Sequence, residues 1–226
     1  MADHGTARYR LRLILLLSTI ICCTQAVPLW SADRHRFATV PALGVLANGK
    51  TGTVHYIVLQ LDKDPRREGP TILFNEIHLG GGSAVSDDWK DGVKQAVAAA
   101  TKAMGEDARE WVITIKNRSY NSLTEGASAS SAVAVGIVAA WRGDIVRSDV
   151  ALTGKIMPDG QIEEVAALPI KVEAAARAQF RTVLVPRRQL HTADWDLSLL
   201  AAKWNITVLE VGTLEEAYEL MTAKTR

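Results

Sequence analysis

The stretch "ASASSAVAVGIVAAW" (residues 127–141) constrains the fold more than any other part of the chain. It reads as a helix of very small residues, one that can pack closely against whatever surrounds it. Strand and helix signals lie on both sides of it. "TVHYIVLQL" (Thr53 to Leu61) is rich in β-branched and aromatic residues and predicts a strand. "DKDPRREG" breaks it, and "PTILFNEIH" (Pro70 to His78) is expected as its hairpin partner. After "GGG" at 80–82, Ser86 or Asp87 can cap a helix running to about Met104, with Val93 and Val97 on one face. "EWVITIK" predicts a strand, and "DVALTGKIM" and "GQIEEV" predict strands around the turn "PDG". "LPIKVEAAARAQF" reads as a helix and "TVLVP" as a strand, and "NITVLEV" followed by "TLEEAYELM" closes the chain with a strand and a helix. Strands and helices mixed without strict alternation predict an α+β (mixed α/β) fold.

The N-terminus differs from the rest. Arg8, Arg10 and Arg12 precede the apolar run "LILLLSTIICC", which is followed by "TQA" ending at Ala26. A basic start, a short apolar run and a small-residue end describe a secretory signal peptide, with an uncleaved membrane anchor as the alternative. Residues 1–26 are therefore read as a signal or anchor segment, 27–43 as a tether and 44–226 as one domain. The expected location is periplasmic or extracellular, with any membrane contact confined to the N-terminal segment. Both cysteines, Cys22 and Cys23, lie in that segment. A form starting near Val27 would contain none, which excludes disulfides, thiol catalysis and cysteine-ligated metal. A balance of 26 basic and 25 acidic residues gives no electrostatic footprint for nucleic acid.

Residues 44–51, "GVLANGKT", match the G-x-x-x-x-G-K-[ST] pattern of a nucleotide-binding loop. That loop needs a strand before it and a helix after it, so that backbone N–H groups face the phosphates. Here Asn48-Gly49 is a favoured turn pair, and a strand, not a helix, follows. The match is expected to be a turn.

"EGASAS" places Ser128 at or near a helix N-terminus, where a hydroxyl can lie beside free backbone N–H groups able to stabilise an oxyanion. Helix capping by Ser128, Ser130 and Ser131 is the competing reading of the same residues. A nucleophilic serine needs a base, and no histidine stands in a site-like motif: His55 and His78 fall in strand patterns, His191 in a polar connection and His35 in the tether. Lys171 follows Pro169, a residue suited to the first helical position. The positive end of the helix dipole and the apolar neighbours Leu168, Ile170 and Val172 both favour a neutral amine there.

Residues 125–186 resemble the proteolytic domain of Lon proteases, which are Ser–Lys peptidases. The family's D-G-P-S-A-G motif falls on "EGASAS", its "VRADVAMTGEI" on "VRSDVALTGKI" and its "GGLKEK" on "AALPIK", without a gap. The resemblance implies Ser128 as nucleophile, Lys171 as base and Thr153 as the residue orienting the lysine. It places Glu125, Gly126 and Ala127 in the substrate-binding or oxyanion region. It implies a single domain related to the ribosomal protein S5 domain 2-like fold, a polypeptide substrate and no cofactor or metal, and it leaves a homo-oligomer open. The chain departs from the pattern at Ala127 for proline, Ser130 for glycine and Ala166–Ala167 for a glycine pair, and Glu125 replaces an aspartate. The reading is an exported, ATP-independent serine endopeptidase acting on unstructured or extended polypeptides. A proteolytically silent peptide-binding module and a phosphate-binding, kinase-like domain are the alternatives.

Overall fold

The computed structural model describes residues 36–75, 77–78, 84–119, 123–124 and 126–223. The expected signal or anchor segment lies outside them. Among the described residues, no helix is long and apolar enough to cross a membrane.

The chain enters a long antiparallel hairpin of β1 (Arg36–Val45) and β2 (Gly52–Lys63), registered from Arg36 opposite Leu61 to Val45 opposite Gly52. The hairpin corrects the expected tether, because residues 36–43 are most of a sheet strand. Pro41 explains the misreading, since a proline inside a run normally argues against a strand. The turn is built on Asn48, whose Oδ1 accepts from the N–H groups of Lys50 (2.9 Å) and Thr51 (3.0 Å). Gly49 supplies the positive φ of 67° that a tight turn favours. The nucleotide-loop pattern is thus a hairpin turn with Lys50 exposed, as expected.

β3 (Thr71–Phe74) and β4 (Ile77–His78) both run parallel to β6 (Trp111–Ser119), and β6 is antiparallel to β2. The stretch 70–78 is therefore not the hairpin partner of β2. A helix separates it from β6, and such a crossover returns the chain parallel. β5 (Ala84–Val85) pairs with β7 (Leu123–Thr124). Between them α1 (Asp87–Met104) starts where expected: Ser86 Oγ accepts from Trp89 N–H at 3.2 Å, and Asp87 and Asp88 sit at the positive helix end.

A 3-10 turn (Ala127–Ala129) leads into α2 (Ser130–Arg142). Beyond it come β8 (Ile145–Val146), β9 (Val150–Leu152), the hairpin of β10 (Lys155–Ile156) and β11 (Ile162–Glu163), α3 (Leu168–Arg177) and β12 (Thr182–Pro186). The chain then forms α4 (Leu197–Trp204), β13 (Thr207–Val211), α5 (Leu214–Met221) and β14 (Thr222–Ala223), which pairs with β8. The main sheet runs β13-β12-β9-β1-β2-β6-β3, with β4 also on β6.

The small residues of α2 take on their meaning here. Every residue from Ser130 to Ala140 is buried. A Cβ on Gly136 would stand 2.3 Å from Leu59 Cδ1 and 2.8 Å from Val40 Cγ1, so the helix lies directly on the sheet. β1 and β2 lie against it, Ala38, Val40 and Leu59 share one buried cluster with Ile113 and Ile115 of β6, and α1 and α5 pack alongside. A second cluster, including Leu43, Val183 and Val185, is covered by Leu168 and Val172 of α3 and Leu197 of α4. The two clusters hold α2 and α3, and with them Ser128 and Lys171, against a common sheet.

Candidate active site

Gly126 takes φ 79° and ψ 143°, which turns the chain sharply into the 3-10 turn that carries Ser128. α1 packs tightly behind that turn: a Cβ on Gly92 would lie 2.9 Å from Ala127 Cβ. The turn is stitched to the strand beside it. Ser128 O accepts from Gly154 N–H at 2.7 Å and from Thr153 Oγ1 at 3.2 Å, and Ser131 N–H donates to Gly154 O at 3.2 Å. Ser130 Oγ accepts from Ile156 N–H at 2.9 Å, so the position where the family pattern has glycine adds a fastening of its own.

Lys171 approaches from α3. Ala167 precedes that helix in the left-handed region, with φ 59°. Pro169 occupies its opening, and Lys171 N–H donates to Ala167 O at 3.2 Å. The Lys171 side chain is only 4% exposed. Its Nζ lies 3.1 Å from Ser128 Oγ and 3.1 Å from Thr153 Oγ1. Thr153 is fully buried, and its N–H donates to Leu184 O of β12 at 3.1 Å. Burial disfavours the ammonium and lowers the Lys171 pKa from 10.5 to about 8. As an ammonium, Nζ donates to both hydroxyls; as an amine, it offers a lone pair to the Ser128 proton.

Six residues were expected at the site. The structure brings Ser128, Lys171 and Thr153 into mutual hydrogen-bond range and places Gly126 and Ala127 beside them in the turn. Glu125 lies outside the described residues. Sequence reasoning missed Gly52, where a Cβ would stand 2.3 Å from Ile170 O, so β2 abuts the first turn of α3. It also missed Gln189, whose amide bonds to Val165 ahead of α3.

Apart from this site, a serine–histidine–aspartate group sits on the surface. His191 Nδ1 is 3.0 Å from Asp196 Oδ1, and its Nε2 is 3.4 Å from Ser198 Oγ. Asp196 Oδ1 also accepts from the N–H groups of Ser198 and Leu199. Those opening amides of α4 are thereby occupied, which leaves the group as a helix cap without the donors an oxyanion needs.

A serine on a helix-opening turn, facing a buried lysine in a mixed α/β domain, is the arrangement of a serine–lysine hydrolase. Residues 87–219 match the sequence model of the Lon protease (S16) C-terminal proteolytic domain, and the chain belongs to this family. It is 34% identical over 96 residues to a Lon protease of Chloroflexus aurantiacus, a match covering 42% of this chain and 11% of that protein. It is 28% identical over 131 residues to an archaeal Lon protease of Thermococcus kodakarensis, covering 58% of this chain and 20% of that one. An archaeal Lon protease of Pyrococcus abyssi is 31% identical over 132 residues, 58% of this chain and 13% of the relative. The chain thus spans a fifth or less of these relatives' lengths.

Proposed function

We propose that this domain is an exported serine endopeptidase that cleaves unstructured or extended polypeptides without ATP, using Ser128 and Lys171. The observation that carries this reading is the 3.1 Å approach of a buried Lys171 Nζ to Ser128 Oγ. Ser128 Oγ attacks the scissile carbonyl carbon while the neutral Lys171 amine takes its proton. Ser130 N–H is bonded to Ala127 O and Ser131 N–H to Gly154 O, so the amides of Ser128 and Ala129, within the 3-10 turn itself, receive the developing oxyanion. Lys171 then protonates the leaving amine, which departs and leaves an acyl-enzyme on Ser128. Water, losing its proton to Lys171, releases the acid and restores the serine. Thr153 holds Nζ on its path, and Ala127 and Gly126 shape the approach to the nucleophile. The exposed hairpin turn at residues 46–51 supports action without ATP, and the basic-then-apolar N-terminus supports export.

The substituted glycines motivate the silent binding module as the other reading. Against it, Ala167 itself adopts a left-handed backbone, so the turn into α3 survives the loss of glycine.

The test is cleavage of casein by wild type, Ser128→Ala, Lys171→Ala and Thr153→Val. Wild type should cleave without ATP and in the presence of chelators and thiol reagents. The serine and lysine variants should each lose nearly all of that activity, because members of one catalytic unit are not additive. Thr153→Val should lose less. Equal cleavage by wild type and Lys171→Ala would remove the dyad; peptide binding without cleavage by wild type would favour the silent module.

A further inference from the structure

Gln189 lies in the loop after β12 and is 5% exposed. Its side chain spends both ends of its amide on one backbone residue. Oε1 accepts from Val165 N–H at 3.0 Å, and Nε2 donates to Val165 O at 2.9 Å. This is the pair of bonds that a neighbouring strand would supply, delivered here by a side chain. Val165 stands two residues ahead of Ala167, whose carbonyl accepts the Lys171 N–H. Ala167 is in a left-handed conformation that costs an alanine free energy, and as the N-cap residue of α3 it makes no side-chain cap bond. The lead into this helix is therefore held by something other than its own local preferences.

We propose that Gln189 is a positioning residue, clamping the backbone at Val165 so that α3 presents Lys171 Nζ to Ser128. The proposal rests on the Ser128–Lys171 reading. The clamp is itself anchored. Trp195 Nε1 donates to Gln189 O at 2.9 Å, and Leu190 N–H donates to Glu210 Oε1 at 2.8 Å, which fixes the loop to β13. The strand that delivers Gln189 also fixes the lysine's other neighbour, because Leu184 O of β12 accepts the Thr153 N–H. One strand and its extension thus set two of the three residues of the site, Thr153 and Lys171. Misplacing a catalytic group by about 1 Å costs on the order of 100-fold in rate.

The test compares the full chain with Gln189→Met, which keeps the length and loses both amide bonds, and with Trp195→Phe, which loosens the clamp from behind. Steady-state casein cleavage and thermal melting are measured on each, with Ser128→Ala and Lys171→Ala alongside. Gln189→Met should lower kcat by tenfold or more with KM within about twofold of wild type, while a cooperative melt persists. Trp195→Phe should move kcat the same way by less. If Gln189→Met keeps the wild-type kcat while Lys171→Ala is inactive, the clamp is refuted and the dyad stands. Activity falling only in proportion to the unfolded fraction, with kcat per folded molecule unchanged, makes Gln189 purely structural and also overturns the proposal. Lys171→Ala cleaving as well as wild type removes the dyad, and this proposal with it.

Discussion

Replacing Lys171 with methionine should make the protein more stable at neutral pH while silencing it. The side chain is 4% exposed, and burial alone lowers its pKa from 10.5 to about 8. Holding an ammonium in that position at pH 7 therefore costs about 3 kcal/mol relative to the unfolded chain. Methionine has a similar length and no charge, so the cost disappears. The bonds to Ser128 Oγ and Thr153 Oγ1 go too, at about 1 kcal/mol or less each, since Ser128 can turn to water and Thr153 keeps its bond to Ser128 O. The net gain is about 1–2 kcal/mol, which raises Tm by roughly 2–8 °C for a domain of this size. The sign of the pH dependence follows from proton counts. Below pH 8, folded and unfolded states both hold the proton, and the wild type carries the full penalty. Between pH 8 and 10.5 the folded state has released it while the unfolded state keeps it, so wild-type stability rises by up to about 1.4 kcal/mol per pH unit. The methionine variant's advantage should hold steady from pH 6 to 7.5 and shrink above pH 8. Melting curves at half-unit pH steps read this directly. A variant less stable than wild type at pH 7, or an advantage that does not change with pH, would refute the reasoning.

The same titration governs rate: casein cleavage per folded enzyme should climb through pH 8 and level off above it, and a flat profile from pH 6 to 10 would exclude Lys171 as the base. Ala167→Gly relieves a left-handed alanine at φ 59° and should raise Tm by about 1–3 °C with activity kept; a lower Tm would mean that the turn is not strained. Lys50→Ala, on an exposed turn, should leave cleavage unchanged with or without ATP, and calorimetry should detect no ATP binding to lose.

Much of the fold can be read in the sequence wherever the information is local. Ser86, two aspartates and the Val93/Val97 spacing announce α1, and the opening turn is legible in Asn48-Gly49. The gapless block from Ser128 to Lys171 carries the site, because motif spacing encodes a contact that periodicity cannot. What failed depends on distant partners. Nothing near Pro41 shows that β1 will lie between β2 and β9, and nothing in "PTILFNEIH" shows that β6, beyond a helix, is its neighbour. α4 was within reach: Asp196 caps it, Leu197, Leu200, Ala201 and Trp204 share helical spacing, and Asn205 ends it at φ 50°. Gln189 carries no local signal, since its partner Val165 is 24 residues away.

The contact between Gly52 and Ile170 O has a bearing on what counts as the smallest working unit. The family match begins at residue 87, yet β1 and β2, which precede it, fill the middle of the sheet and touch the lysine's helix. A polypeptide trimmed to residues 87–219 would lose Ala38, Val40 and Leu59 from beneath α2 and the backing for the first turn of α3. Recombination or transplantation of this peptidase must therefore carry the hairpin along, and shared ancestry measured by residue identity understates the folding unit at its N-terminal side.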